Sequence, residues 1–270
     1  YTEGRTPNPC VVCNARIKFG SLLEKARSSG IPFDAFATGH YARVRHDAAR
    51  GRHLLMRGID ASKDQSYFLY RLSREQLSRV LFPLGEYAKQ DVKALALGAG
   101  FGEYVGKKES QDFLEFTDYA SLLKDPPRPG DIVDTAGNVI GRHRGVAFYT
   151  VGQRRALGLA GMKEPYHVLR IDAARNEIVA GPKAELMNDG LRAEDVNWIM
   201  PVEDWPDGPL TAKIRSTAHP APCSVDLPDD GPVTVHFDEP QESITPGQSV
   251  VLYAGDFVLG GGTITGAFRK

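Results

Sequence analysis

Gly4-Arg5-Thr6-Pro7-Asn8-Pro9-Cys10-Val11-Val12-Cys13-Asn14 runs directly into Ile17-Lys18-Phe19. Two prolines fix φ and push the residues before them out of the helical region, so the approach to the cysteines is extended and stiff. The two thiols stand at CxxC spacing where a helical pattern begins. Phe19, Leu22, Leu23 and Ala26 recur at helical spacing, and Gly30 closes the segment. A thiol at a helix start has its thiolate favoured by the backbone N–H groups and the helix dipole. By spacing alone the pair fits a redox couple, half of a zinc site, two cluster ligands or two small buried residues. A zinc site needs four ligands, and neither a second CxxC nor an HxxxH pattern occurs in the chain.

Working outward, Phe33 to Thr38 reads as a short buried strand leading into Gly39-His40-Tyr41-Ala42-Arg43. Open α/β sheets place ligands at such strand ends, although a hydrogen-bonded structural histidine explains His40 equally well. Leu54 to Gly58 reads as another strand. Lys63, Asp64 and Gln65 then stand together before the apolar start of a helix, where they suit either a polar ligand or plain helix capping. Ser73-Arg74-Glu75-Gln76 has the form of a capping box. Phe82-Pro83-Leu84-Gly85 is a turn, and Val92, Leu95, Ala96 and Ala99 share one face of a helix that ends at Gly100. Alternating strands and helices up to about residue 115 indicate an α/β layer structure.

The character changes after Asp125-Pro126-Pro127-Arg128-Pro129-Gly130. Short strands and turns follow, with Thr150-Val151-Gly152-Gln153-Arg154-Arg155 offering amide and guanidinium donors suited to phosphate or base contacts. From about residue 192 the segments 211–215, 233–237 and 249–253 alternate or are β-branched. They are punctuated by Pro246-Gly247-Gln248 and Gly260-Gly261-Gly262. Several short strands in so few residues predict a closed barrel, which removes exposed edges.

The 270 residues allow one large domain or two to three small ones. With 41% hydrophobic and 25% charged residues the chain can bury a substantial core. No apolar run approaches the ~18 residues of a membrane span, so no membrane partner is expected. Three cysteines suit a reducing, cytoplasmic setting. A net charge of −1 gives no global electrostatic support for nucleic-acid binding, and leaves room for a local basic face.

Taken in order, these segments resemble the tRNA-specific 2-thiouridylases, the MnmA/TrmU family. The resemblance rests on residues 6–14 with 17–19, on 37–43, 63–69, 82–85 and 150–154, and on 246–248 with 260–262; it spans nearly the whole chain. It implies a fold of three parts: a partial adenine-nucleotide-hydrolase-like (PP-loop) α/β domain over 1–120, a small central domain over 121–190 and a tRNA-gripping C-terminal β-barrel over 191–270. It also implies ATP-dependent 2-thiolation of the wobble uridine at tRNA position 34. In that chemistry the uracil 2-oxygen is adenylated with Mg-ATP and then replaced by sulfur carried on a cysteine. The base has to leave its stack to reach such a site.

Carried over by position, the resemblance implies that Cys13 is the nucleophile and that Asn8, Pro9 and Cys10 contact the target base. It makes Gly39 a nucleotide contact and assigns tRNA contacts to His40, Lys63, Asp64, Gln65, Arg215, Ser216 and Gln248; Gln153 and Arg154 join that set on their donor chemistry. Its expected partners are the lysine, glutamate and glutamine tRNAs and a sulfur-carrier protein or cysteine desulfurase.

Two departures from the family pattern stand out. The Ser-Gly-Gly-x-Asp-Ser signature of the ATP loop does not occur in the sequence; it is expected upstream of residue 1 or on a separate polypeptide. Leu114 occupies the place of the family's persulfide cysteine, and no cysteine lies between Cys13 and Cys223. Three outcomes stay open. Cys10 replaces the missing carrier; or Cys10 and Cys13 with a third thiol hold a [4Fe-4S] cluster; or the chain is a non-catalytic tRNA-binding remnant. Cys223, the third thiol, is expected to be a buried barrel residue.

Overall fold

The computed structural model describes residues 1–106, 123 and 126–270; Leu114 and the segment 107–116 around it lie outside them. The chain begins with α1 (Pro9–Val12), which continues through a π-helical stretch, Cys13–Ser21, into α2 (Leu22–Ser28). Strands β1 (Phe36–Ala37) and β4 (Val80–Leu81) pair in parallel, with Phe36 opposite Val80. Between them lies an antiparallel hairpin of β2 (Ala42–Asp47) and β3 (Arg52–Arg57), turned at Gly51 with φ +61°. Residues 46–52 are thus the hairpin tip and the strand ends beside it. The capping box forms as read: Ser73 accepts from the Gln76 N–H and Gln76 accepts from the Ser73 N–H at the start of α3 (Arg74–Leu77).

Helix α4 (Lys89–Gly98) ends before Gly100, whose φ of +84° stops it, and α5 (Gly102–Val105) follows. The helical face read from the sequence exists, yet α4 has no buried residue; Leu95 and Leu97 are each 58% exposed. Ile17, Leu22, Leu81, Phe101 and Tyr104 are also exposed, so most of the surface apolar side chains lie before residue 106.

The middle of the chain forms a four-stranded sheet in the order β6-β5-β8-β7, from β5 (Gly130–Val133), β6 (Val139–His143), β7 (Tyr166–Asp172) and β8 (Glu177–Pro182). The final part contributes β9 (Met187–Trp198), β10 (Leu210–Lys213), β11 (Ala221–Asp226), β12 (Val233–Glu242), β13 (Ser249–Ala254) and β14 (Phe257–Phe268). They pair in the order β13-β10-β11-β12-β9-β14, and β14 pairs back to β13, closing a six-stranded barrel.

The hairpin of β2 and β3 continues the barrel sheet, because Met56 pairs with Phe257 at the edge of β14. Strand β13 is buried on both faces, and its side chains divide between two cores. Val250, Leu252 and Ala254 belong to the barrel interior. Val251 and Tyr253 join Val11, Phe19, Tyr67 and Leu69 on the other side. Strand alternation thereby fastens the cysteine-bearing helix to the barrel wall.

One reading of punctuation is corrected. The glycines 260–262 lie inside β14, not at its end. Gly260 has φ +154°, and a side chain there would clash with the Asn197 carbonyl. One at Gly261 would clash with the Val250 carbonyl. The triplet lets neighbouring backbones approach around register shifts in this strand.

Candidate functional site

Asn8 caps the cysteine helix: its backbone is extended (φ −103°, ψ 93°) and its side-chain oxygen accepts from the Val11 N–H at 3.3 Å. Pro9 takes the first helical position, where its missing N–H costs nothing. The Tyr67 hydroxyl, fully buried, donates to the Ser249 carbonyl at 2.9 Å and lies in hydrogen-bonding reach of the Asn8 side chain. The cap is therefore set against the barrel wall.

The helix then widens. At its end the Leu22 N–H reaches back five residues to the Ile17 carbonyl, and Gly20 leaves the helical region at φ −109°, ψ −106°. A π-helix places residues five apart on nearly the same side. Asn14 and Phe19 share the buried side, and Cys13 and Lys18 share the half-buried one. This phase change explains why Leu22 is exposed although the α-helical spacing read from the sequence groups it with Phe19.

Gln76 stabilises the irregular stretch. Its side-chain nitrogen donates to the Ala15 and Phe19 carbonyls, each at 2.9 Å, while its oxygen completes the capping box. The capping role is legible in sequence; the link to the cysteine helix, 57 and 61 residues away, is not.

Cys10 and Cys13 are half-buried free thiols. Burial pushes the Cys10 thiol up from its ordinary range, the neighbouring Cys13 adds to this, and the Lys18 ammonium opposes it. The reading that a helix start favours the thiolate does not hold for Cys10, whose thiol its burial pushes up. Lys18 also acts on His40, which is buried against Phe19 and Phe82 with ring centroids 5.8 Å from each. Burial first, and Lys18 second, lower the His40 pKa to about 4, so the ring is neutral at pH 7. Its Nδ1 lies 2.7 Å from the Thr38 hydroxyl. Gly39 beside it is exposed, with room for a side chain before Leu84 at 3.6 Å.

The segment 63–65 leads into a single 3-10 turn, Ser66–Phe68. The Asp64 carboxylate is fully buried and accepts from the Gly58 N–H at 3.2 Å, the Ser66 N–H at 3.1 Å, the Ser66 hydroxyl at 3.1 Å and Arg57 at 3.4 Å. Its geometry is that of a cap and an ion pair. Gln65 accepts from the Tyr41 N–H at 3.0 Å, which links this segment to the one that carries Gly39 and His40.

A junction gathers most of the remaining candidates. The Thr6 N–H donates to the Pro246 carbonyl at 2.9 Å, the Gln248 amide donates to the Thr6 carbonyl at 2.9 Å, and the Thr6 hydroxyl donates to the Thr150 hydroxyl at 3.1 Å. Gly247, at φ +90°, leaves room for the Thr6 backbone. Gly152 packs on Ser243 so closely that a side chain would clash, and the Arg215 guanidinium donates to the Glu242 and Ser243 carbonyls, each at 2.9 Å. Gln153 braces its own turn through the Thr150 N–H and the Arg155 carbonyl, leaving Arg154 exposed. Ser216, half-buried, follows Arg215. Thr6 and Thr150 stand in segments that the sequence singles out, but their bond to each other, and the part played by Ser243, show only in the structure.

Among the described residues no group of three or more His, Cys, Asp or Glu side chains is placed to hold a metal. Cys223 lies on β11 in the barrel interior, where burial pushes its thiol up to about 12. No helix among the described residues is long and apolar enough to cross a membrane.

Comparison with known proteins accounts for the three parts. Residues 1–115 match the model for the tRNA methyl transferase HUP domain, 123–182 that for the tRNA methyl transferase PRC-barrel domain, and 188–264 that for the aminomethyltransferase beta-barrel domain. The chain is 48% identical over 275 residues to the tRNA-specific 2-thiouridylase MnmA of Moorella thermoacetica, covering 98% of this chain and 74% of that protein. It is 50% identical over 273 residues to the namesake from Geotalea uraniireducens, covering 98% and 70%. For the Geobacter metallireducens protein of the same name the identity is 48% over 277 residues, covering 100% and 73%. With an α/β part, a middle sheet and a closed barrel in this order, and identity of this extent, the chain belongs to the MnmA family of tRNA-specific 2-thiouridylases.

Proposed function

We propose that this chain carries out sulfur transfer to tRNA, converting the wobble uridine at position 34 of the lysine, glutamate and glutamine tRNAs to 2-thiouridine. The observation that carries the proposal is the junction: the helix that bears Cys10 and Cys13 is anchored through Thr6 to the segments 150–154 and 246–248, which hold Gln153, Arg154 and Gln248. In this reading the parts 1–120, 121–190 and 191–270 supply the chemistry, a connecting surface and a tRNA grip. Lys63, Gln65, Gln153, Arg154, Arg215, Ser216 and Gln248 border the RNA, and the buried His40 and Asp64 act from beneath, Asp64 by holding the turn between Lys63 and Gln65. Gly39 borders the nucleotide, and Asn8 and Pro9 border the target base together with Cys10. The three free thiols go with a reducing cytoplasm.

The uracil 2-oxygen attacks the α-phosphorus of Mg-ATP and pyrophosphate leaves. AMP is then a far better leaving group than the original oxygen. A persulfide on Cys10, supplied by a sulfur-carrier protein or cysteine desulfurase, attacks C2 through its terminal sulfur, and AMP departs with the oxygen. Cys13 attacks the Cys10 sulfur of the resulting disulfide, releasing 2-thiouridine and forming a Cys10–Cys13 disulfide. A cellular thiol then reduces that bond. The proximity of the two cysteines in one helix supports this assignment of the carrier role to Cys10. The described residues do not fit a [4Fe-4S] cluster held by this chain alone, since Cys223 is enclosed in the barrel core.

The test is 2-thiouridine formation, read by mass spectrometry of tRNA nucleosides after incubation with Mg-ATP, a persulfide donor and a polypeptide that carries the PP-loop signature. Thiolation by wild type and its loss in Cys13→Ser supports the proposal. Tight tRNA binding with no thiolation, aerobically or anaerobically, favours the binding remnant instead.

A further inference from the structure

Next to the junction, the loop after Gln153 lines an open pocket of about 430 Å³, of whose lining only Arg154 figures in the reading above. Its walls combine apolar Leu157, Leu159 and Met162 with Tyr166, and the cations Arg154 and Lys163 border it. The loop is built, not slack. Leu157 is buried in the core of the middle sheet, and Leu159 packs against it. The Tyr149 hydroxyl donates to the Ala156 carbonyl at 3.3 Å, and Gln153 donates to the Arg155 carbonyl at 2.9 Å. Gly158 and Gly161, at φ +67° and +78°, and Ala156 at +65°, take the left-handed turns that bend the chain around the space. Lys163 and Arg154 are exposed, whereas Tyr166 is half-buried at the start of β7.

A concave site of this volume, with apolar and aromatic walls and cations at its edge, matches the needs of one unstacked nucleotide. The walls and Tyr166 offer a planar base a surface to stack on, and Arg154 and Lys163 offer its phosphates positive charge. Glu164, also in the lining, accepts but does not donate, so it selects base edges that present N–H groups. The cavity also stands at a useful place. Arg154 is four residues from Thr150, which bonds to Thr6, and Thr6 is four residues from Cys10. A single strand lying across this junction would bring one nucleotide to the thiols and a near neighbour to the loop.

We propose that this cavity holds an extruded base of the same single-stranded RNA loop, a nucleotide other than the one thiolated, and so sets the register of the target at the thiols. The proposal rests on the tRNA reading above. It is tested with the full chain and anticodon stem-loop RNAs, each carrying 2-aminopurine at one loop position. Wild type is expected to change the fluorescence at position 34 and at one further loop position. Met162→Trp fills the cavity without touching the thiols. It is expected to abolish the second signal, keep the first and weaken RNA binding about tenfold, the scale of one lost stacked base. Tyr166→Leu, which leaves the cavity open but removes its aromatic ring, is expected to reduce the same signal, and serves if Met162→Trp does not fold. Unchanged affinity and signals in a folded variant, or no responding position besides 34, overturns the cavity proposal and leaves the tRNA reading standing. Absence of any RNA binding by wild type at low salt overturns both.

Discussion

The Gln248 side-chain amide donates to the Thr6 carbonyl at 2.9 Å, so a barrel residue holds the backbone four residues before Cys10. The same Thr6 reaches Thr150 in the middle part, and Gly247 provides the space for its backbone. Replacing Gln248 with Leu removes one hydrogen bond and leaves the partly buried Thr6 carbonyl without its donor. The expected cost is about 1 kcal/mol in urea unfolding, together with faster protease cleavage within 1–9. An unchanged cleavage pattern would show that the prolines alone keep this approach in place.

Gln76 makes a sharper prediction, because its two ends do different work. Gln76→Glu keeps an acceptor for the Ser73 N–H but loses the donor to the Ala15 and Phe19 carbonyls. The π-helical stretch is then expected to tighten toward an α-helix, which rotates Lys18 relative to the first turn and Cys10. Alkylation of Cys10 measured across pH should shift in Gln76→Glu, because Lys18 acts on that thiol. In Ser73→Ala, which weakens only the capping box, it should stay as in wild type. Identical profiles in all three proteins would contradict this role for the Gln76 nitrogen.

His40 predicts a pH dependence with a definite sign. Its folded pKa of about 4 lies below the unfolded value of 6.5, so the unfolded chain binds the proton more readily. Stability is therefore complete above about pH 6.5, falls as the pH drops, and levels off below about pH 4. The burial that lowers the pKa also implies that His40→Phe, which fills the space between Phe19 and Phe82 without a titrating ring, flattens this slope. Urea unfolding at pH 7.5 and pH 5 in the two proteins checks it; equal slopes would contradict the assignment.

Asp64 and Lys213 predict opposite outcomes at two buried charges. Asp64 accepts four hydrogen bonds with no exposed side-chain surface, and Asp64→Ala is expected to cost about 3 kcal/mol by leaving Arg57 and the Gly58 and Ser66 N–H groups unpaired. Lys213, 5% exposed on β10, has its pKa lowered by burial, with Asp64 opposing that effect and Arg57 adding to it. Lys213→Met removes a charge that is costly to bury, and is expected to be neutral or stabilising. Thermal melting of both variants decides between this and an essential ion pair, for which both would be destabilised.

The legible parts of the molecule are those in which chemistry is local. The extended approach before Cys10, the Ser73 capping box, the strands around 211, 233 and 249 and the turn at Gly152 all follow from a few adjacent residues. The π-helical phase did not show, because the Gln76 side chain that bonds the Ala15 and Phe19 carbonyls comes from far along the chain. The same limit explains the glycines 260–262, whose purpose is set by carbonyls at Asn197 and Val250. It also explains the hairpin of β2 and β3, whose barrel partner is 201 residues away at the Met56–Phe257 pair. Residues 63–65 were readable as a cluster, but only the structure separates a buried Asp64 from its neighbours.

The central claim is that the junction places RNA across the cysteine helix, the 150–154 turn and the 246–248 turn at once. Photocrosslinking with tRNA that carries 4-thiouridine at position 34, followed by mapping of the attached peptides, tests it most directly. The prediction is attachment within 8–13, with weaker attachment within 150–166, and loss of the first when Gln248 and Thr6 are both replaced by Ala. Attachment confined to the far side of the barrel, around β11 and β12, would contradict it.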